Sequence, residues 1–247
     1  RTRALMPVHL GGRPLDMDAL GRFAQRHGIA LIEDAAQAIG ATAGKWRCGS
    51  FGDAAFSFYA TKNLHTGGEG GMFVTRDDEV AARARLWRSQ GERTRYVTEE
   101  PGFNYRMTEM AAAIGLLQLS KIDARNEARR ANAARLSALL DGNDAIVLPR
   151  ELPGRTHVWH QYVIRVRAGR DARDRLQASM RERGIETAVF YPTPIHQQPY
   201  YQRAELGTMP LPVAERLAAE VLALPVHPAL SDADIEAIAA AVNELTP

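Results

Sequence analysis

Ile29-Ala30-Leu31-Ile32-Glu33-Asp34-Ala35-Ala36-Gln37 is the stretch on which the fold turns, an apolar run that ends on two carboxylates. A short apolar run behind a glycine, here Gly28, reads as a strand buried on both faces. Ahead of it, a helical pattern runs from Asp16 through Leu20 and Phe23 to Gly28, and before that Ala4 to His9 reads as another buried strand. Strand, helix and strand in that order build parallel sheets, so the expected fold class is α/β. Acidic residues at the carboxyl end of a buried strand sit where open α/β sheets place their ligands. An aspartate capping a following helix would look the same in sequence.

Downstream, Gly40 to Gly52 reads as loop, and Ala54 to Ala60 and Met72 to Thr75 as strands separated by a glycine-dense turn at residues 67–71. Asp77 to Gln90 is amphipathic and helical. Arg106 to about Leu140 is rich in alanine and leucine, which predicts one long helix or two stacked ones, bent near Gly115. Asp141-Gly142-Asn143 ends it. After Pro149 the composition changes: Val158 to Val166 reads as a strand, Asp171 to Arg183 as a helix capped by Gly184, and Ile185 to Val189 as a further strand. Residues 191–212 hold five of the thirteen prolines and read as an ordered loop. Helices over Val213 to Ala223 and Asp232 to Leu245 follow, the second with Ser231 as N-cap. The expected organisation is a large, mostly parallel sheet domain over residues 1–125 and a smaller α+β domain over 126–247.

Composition narrows the function. Among 247 residues, 45% are hydrophobic and 24% charged, ordinary values for a globular protein. The 31 basic and 29 acidic residues nearly cancel, which argues against a nucleic-acid or membrane partner. No apolar run approaches the roughly 20 residues of a membrane span, and a cytoplasmic location is expected. A single cysteine, Cys48, allows no intrachain disulfide, and the seven histidines lack metal-ligand spacing, so no metal is expected. Only Lys45, Lys62 and Lys121 are lysines; every other basic residue is arginine. A lysine kept in such a chain is a candidate for chemistry that arginine cannot do, such as acting as an amine nucleophile, although codon bias leaves the same trace.

Phe56-Ser57-Phe58-Tyr59-Ala60-Thr61-Lys62-Asn63 runs a strand into one of those lysines, and Gly67-Gly68-Glu69-Gly70-Gly71 follows. Alone, Lys62 reads equally well as a solvated surface charge. The glycines permit the close backbone approach that a bound ligand needs.

Taken together, Glu33-Asp34-Ala35-Ala36-Gln37, then Ser57-Phe58-Tyr59-Ala60-Thr61-Lys62-Asn63-Leu64, then the glycine turn resemble the nucleotide-sugar aminotransferases of the DegT/StrS type. These are pyridoxal-phosphate enzymes of fold type I, with a three-layer, aspartate-aminotransferase-like large domain. The resemblance extends to Pro7-Val8-His9-Leu10, Gly102-Phe103-Asn104-Tyr105-Arg106, Tyr191-Pro192-Thr193-Pro194-Ile195-His196 and Leu224-Pro225-Val226-His227-Pro228, which spans nearly the whole chain. It implies a role for each matched residue. Lys62 matches the lysine that carries pyridoxal 5'-phosphate as a Schiff base and then moves the substrate proton. Asp34 matches the carboxylate that keeps the pyridine nitrogen protonated, and Gln37 the amide that reaches the ring's 3-hydroxyl. Ser57 matches a phosphate ligand. Asn104 matches a residue that reaches the phosphate of the neighbouring subunit's cofactor, which implies a homodimer with a shared active site. Tyr191 and His196 lie where the family's substrate pocket lies. His160, in Trp159-His160-Gln161-Tyr162, matches a family motif and reads equally well as a packed strand histidine.

The chain also departs from the pattern. His65-Thr66-Gly67-Gly68-Glu69 differs from the usual turn after the lysine, and Phe190 stands where many members have histidine. Both changes fall near the substrate. Relatives with histidine in place of the lysine are dehydratases, and Lys62 argues against that reaction. Family members carry a long segment ahead of the Pro-Val-His strand, with a phosphate cradle at a helix N-terminus and a ring that stacks on the cofactor. Here that strand starts almost at Arg1, so the sequence is expected to be an N-terminally truncated part of the enzyme. The resemblance implies transfer of an amino group, with glutamate as the expected donor, onto a nucleotide-linked keto sugar in amino-sugar biosynthesis. Two alternatives stay open: a cyclitol or other carbonyl substrate, and a non-catalytic regulatory relative on the same fold.

Overall fold

A computed structural model of the chain describes residues 2–204 and 209–246. They form two compact units, one of residues 1–127 and 151–160 and the other of residues 128–150 and 161–247. Sequence reasoning placed a single cut after residue 125; the structure instead returns residues 151–160 to the first unit.

The first unit opens with β1 (Ala4–Leu5), α1 (Met17–His27) and β2 (Ala30–Asp34). Helix α1 starts where Asp16 Oδ1 accepts from Ala19 N at 2.9 Å. It stops at Gly28, whose left-handed backbone returns its N–H to the carbonyls of Ala24 and Gln25. Strand β1 is shorter than expected because Pro7 has no N–H to offer. The chain nevertheless stays beside β2, since Asp34 N donates to Pro7 O and His9 N donates to Asp34 O.

The connection after β2 carries a small hairpin, β3 (Thr42–Ala43) with β4 (Trp46–Arg47), in what reads from sequence as plain loop. Then β5 (Asp53–Ser57) pairs parallel to β2, with Asp34 opposite Ala55. Strand β6 (Gly71–Val74) returns antiparallel, with Gly71 opposite Ser57. The sheet order is β1-β2-β5-β6. Two of its three pairings are parallel, a mixed α/β arrangement. Helix α2 (Asp78–Arg88) is capped by Asp77, and a ribbon of β7 (Glu92–Thr94) and β8 (Val97–Thr98) follows.

The alanine-rich region is two helices, α3 (Glu109–Leu119) and α4 (Ile122–Leu139). The break falls at Ser120-Lys121 and not near Gly115. Gly115 lies inside α3, where an added Cβ would come 3.1 Å from Thr66 Cγ2, so this glycine serves close packing and no bend. Two short strands come next and go to different units. Strand β9 (Ile146–Val147) belongs to the second, whereas β10 (Arg155–Thr156) pairs antiparallel with β3 of the first. Val158 completes a tight cluster with Ala35, Ala38, Ala41 and Cys48. Small residues there let the turn after β2 lie close to its neighbours.

In the second unit, β11 (Tyr162–Val166) is central, between β9 and β12 (Val221–Leu224). Strand β11 starts at Tyr162 and not at Val158, because Trp159 takes φ of 46° and breaks the extended run. The unit's helices include α5 (Arg170–Glu182), α6 (Pro199–Arg203), α7 (Pro212–Glu220) and α8 (Asp232–Leu245); α5 and α7 pack on the sheet, and α8 packs on α5. The helix expected over Val213 to Ala223 ends at Glu220. Its last residues form β12, all of them buried, and pairing with β11 satisfies a backbone that has no water on either side. Buried Arg173 takes the carbonyls of Ala218 and Val221 at the changeover. The strand expected over Ile185 to Val189 is reduced to one bridge between Ala188 and Ala223. The proline segment holds a 3-10 turn at Ile195–Gln197 and α6, and its residues 205–208 lie outside the described residues. Helix α8 has the expected Ser231 cap, in a reciprocal box with Asp234. Among the described residues no helix is long and apolar enough to cross a membrane.

Candidate functional site

The parallel pairing of β2 and β5 brings two of the sequence's candidate stretches to one end of one sheet. Asp34 is the last residue of β2 and Ser57 the last of β5, and both lie at the carboxyl ends of parallel strands. No helix follows Asp34. Its Oδ1 instead closes a turn by accepting from Ala36 N at 3.1 Å, and its other carboxylate oxygen takes no hydrogen bond among the described residues. The turn continues to Gln37, whose Oε1 accepts from Gly11 N at 2.6 Å. That bond sets the amide's orientation and leaves Nε2 as the donor. The Gly11-Gly12 turn fits there because both glycines have positive φ, and an added Cβ on Gly12 would lie 2.8 Å from Val158 Cγ2 and 3.1 Å from Gln37 O.

Glu33, adjacent in sequence to Asp34, has another job. It is fully buried and accepts from His9 Nε2 at 3.0 Å, Gly49 N at 2.8 Å and Phe51 N at 2.7 Å. His9 Nδ1 accepts from Leu15 N, so the ring proton is on Nε2 and a neutral imidazole donates to the carboxylate. Burial alone would raise the Glu33 carboxyl, but the bonds from His9, Gly49 and Phe51 outweigh it and hold the group below the usual carboxylate range. The strand's alternation thus points one acid into the core and leaves the next at the sheet's end. Cys48 lies beside this pair; burial first, then the Glu33 charge, push its thiol up to about 12, so it stays protonated.

Lys62 sits on a loop closed at its base by Phe58 N to Gly70 O and Thr66 N to Phe58 O, and Lys62 N itself donates to Tyr59 O. The turn needs its glycines: a Cβ on Gly70 would meet Thr66 Oγ1 at 2.6 Å, and one on Gly71 would meet Phe56 O at 2.8 Å. Lys62 is half-buried, while the two residues after it, Asn63 and Leu64, are buried. Leu64 packs with Phe58 and Ile122. Asn63 Nδ2 donates to Asn126 Oδ1 at 3.0 Å and to Val158 O at 2.9 Å, and Asn63 Oδ1 faces His160 Nδ1 at 3.2 Å. Asn126 Nδ2 in turn donates to Ile39 O at 3.0 Å. His160, ambiguous in sequence, is therefore part of this polar cluster. Lys62 Nζ makes no hydrogen bond or ion pair among the described residues. Ser57 Oγ accepts from Tyr59 N at 3.3 Å, which leaves its O–H to donate.

The other candidates lie elsewhere. Asn104 is exposed, on a segment bridged to Ser89, between Phe103 and Tyr105, whose rings stack at 4.9 Å. Tyr191 and His196 belong to the second unit, where Tyr191 is exposed. His196 Nε2 lies 2.9 Å from Glu215 Oε1, an oxygen that also accepts from Leu211 N, and these two bonds hold the Glu215 carboxyl below its usual range. Sequence reasoning missed the His9–Glu33 pair and the Asn63–Asn126 contact. A glutamate in an otherwise apolar strand signalled the first; the second, spanning 63 positions, left no local signal.

A family model described as the DegT/DnrJ/EryC1/StrS aminotransferase family matches residues 1–243. A pleiotropic regulatory protein of Geobacillus stearothermophilus is 44% identical over 235 residues, covering 94% of this chain and 62% of that protein. A dTDP-3-amino-3,4,6-trideoxy-alpha-D-glucose transaminase of Streptomyces venezuelae is 43% identical over 245 residues, covering 99% of this chain and 64% of the relative. The chain thus spans less than two thirds of the length of either. Among solved structures, S. venezuelae DesV in complex with a ketimine intermediate superposes with a TM-score of 0.93 at 43% identity, over 100% of this chain and 66% of that one.

Proposed function

The chain belongs to the DegT/DnrJ/EryC1/StrS aminotransferase family, and on that premise we propose that it holds pyridoxal 5'-phosphate on Lys62 and transfers an amino group, with glutamate as donor, to a nucleotide-linked keto sugar in amino-sugar biosynthesis. The observation that carries this reading is the β2/β5 register, which sets Asp34, the Gln37 turn, Ser57 and the Lys62 loop at one end of one sheet. The donor set fits the cofactor. Asp34 offers an open carboxylate oxygen to a protonated ring nitrogen, and Gln37 offers Nε2 to the ring's 3-oxygen. Ser57 offers its hydroxyl to a phosphate, and Lys62 an amine with no competing partner among the described residues.

When bound, the cofactor supplies an electron-withdrawing ring. The chain's residues supply the rest. Lys62 would hold the cofactor covalently, and its amine, when free, would take the proton from the amino donor's α-carbon and deliver it to the cofactor instead of back to that carbon. Asp34 keeps the ring nitrogen's proton in place. In the same reading the first unit is part of the fold type I, three-layer cofactor domain, and Asn104 reaches the phosphate of a second copy in a homodimer. Tyr191 and His196 border the sugar, and the protein works in the cytoplasm.

Two measurements test this. Visible absorbance should appear when the protein is mixed with pyridoxal 5'-phosphate and fade on addition of glutamate. Borohydride reduction of a separate sample, with cofactor but no glutamate, should leave the pyridoxyl mass on Lys62; the mass on Lys45 or Lys121 would overturn the assignment. A non-catalytic regulatory role is the second reading, favoured by the name of the Geobacillus relative. It predicts cofactor absorbance that no amino donor bleaches.

A further inference from the structure

We infer that Asn63 and Asn126 form a buried amide clamp that positions the Lys62 amine relative to the turn carrying Asp34 and Gln37. The inference rests on the cofactor reading of Lys62. Its grounds are geometric. Both asparagines are buried, and their bonds join segments far apart in sequence: the loop after β5, the turn after β2 through Ile39 O, and the returning strand segment through Val158 O. Gly40 belongs to the same contact, since an added Cβ there would come 2.7 Å from Asn126 Nδ2. Val158 N donates to Gly12 O, and Gly11 N holds Gln37 Oε1, so the clamp ends on the turn that orients Gln37.

The hydrogen-bond directions leave one arrangement. Asn63 Nδ2 spends its two protons on two carbonyl-type oxygens, so Asn63 Oδ1 can only accept, and His160 Nδ1 must carry the proton that faces it. Every polar atom of the Asn63 side chain is thereby engaged in a buried setting, where an alternative rotamer would strand donors away from water. The side chain of the residue next to Lys62 is held by three partners, while the Lys62 side chain itself stays outside the network. Such an arrangement directs an amine without touching it, and Asn63 and Asn126 are positioning residues in this account.

The test compares the parent chain with Asn63→Ala, Asn126→Ala and, as a control, Asn143→Ala, whose amide bonds Asn243 and Thr246 within the second unit. Each protein is incubated with pyridoxal 5'-phosphate, reduced with borohydride and mapped for pyridoxyl on Lys62 against Lys45 and Lys121. Amide hydrogen exchange over residues 60–66 is measured in parallel without cofactor. Loss of a positioning contact of this kind is expected to lower the Lys62 share by about tenfold or more in Asn63→Ala. Asn126→Ala should shift it the same way, and exchange should speed up over residues 60–66 in both variants. Asn143→Ala should change neither readout, even if it melts earlier. A Lys62 share within about twofold of the parent in both folded variants would overturn the clamp. Label on Lys45 or Lys121 already in the parent would overturn the Lys62 assignment itself, so the two failures are distinguishable. If Asn63→Ala does not fold, Asn126→Ala alone decides.

Discussion

Replacing Glu33 by glutamine changes one atom in a fully buried site, and the surrounding donors make the outcome calculable. Oε2 accepts from both His9 Nε2 and Gly49 N, and Oε1 from Phe51 N. In Glu33→Gln, the best placement keeps the amide oxygen at the two-donor position and turns the NH2 towards Phe51 N. Flipping the His9 tautomer does not help, because Nδ1 would then present a proton to Leu15 N. At least one buried N–H is therefore stranded in every arrangement, at a cost of about 1–3 kcal/mol, and the remaining bonds lose their charge assistance. We expect about 2–4 kcal/mol of destabilisation for Glu33→Gln and roughly 3–5 kcal/mol for Glu33→Ala, which strands all three donors. All three tryptophans, Trp46, Trp87 and Trp159, lie in the first unit, so urea unfolding followed by tryptophan fluorescence reads that unit alone. The sign with pH also follows. The folded Glu33 carboxyl titrates below its ordinary value of 4.5, so its contribution is present above that pH and is lost as the pH falls through the folded value. The gap between parent and Glu33→Gln should therefore narrow in acid. A gap under about 0.5 kcal/mol at pH 7, or one that does not change with pH, would refute the reasoning.

Acid should also act through His157, whose Nδ1 accepts from Trp159 N and whose pKa burial, then the Arg13 charge, push down from 6.5 to about 3. The unfolded chain binds that proton more readily, so the first unit should lose roughly 3–5 kcal/mol as the pH falls from 6.5 towards 3. His157→Asn keeps an acceptor near Nδ1, and fluorescence-detected urea melts should show a shallower slope for it between pH 6.5 and 5; equal slopes would rule His157 out. Gly12→Ala places a Cβ 2.8 Å from Val158 Cγ2 at φ of 94°, and should cost roughly 2–4 kcal/mol in the same melts. Asp34→Ala removes only a turn bond from Ala36 N, so stability should fall by about 1 kcal/mol, while kcat in the amino-transfer assay should fall by roughly 100-fold or more with KM little changed. Near-normal kcat would leave Asp34 as a turn residue only.

What the sequence determined by itself is whatever depends on a few neighbouring residues. Asp16, Asp77 and Ser231 announce their helices because each cap reaches an N–H two or three positions on. Strand β2 announces itself through the apolar run Ile29 to Ile32, β5 through a mostly apolar stretch broken by Ser57, and the Lys62 loop through its glycines. Asp34, Gln37, Ser57 and Lys62 stood out as candidates for the same reason: each lies in a short stretch whose residue types are unusual together. Only the tertiary structure decided the rest. Val221 to Leu224 continue a helical pattern, yet β11 waits with open backbone groups, and pairing both sides of a buried segment outweighs helix propensity. Glu33 and Asp34 look alike in sequence; opposite faces of one strand make the first a buried anchor for His9, Gly49 and Phe51 and leave the second open at the sheet's end. Asn63 finds its partners 63 and 95 positions away, and residues 151–160 return to the first unit through pairing with β3. Propensity and capping act along the chain, whereas a buried donor is satisfied by whichever acceptor the fold brings to it, and that acceptor's place in the sequence leaves no local trace.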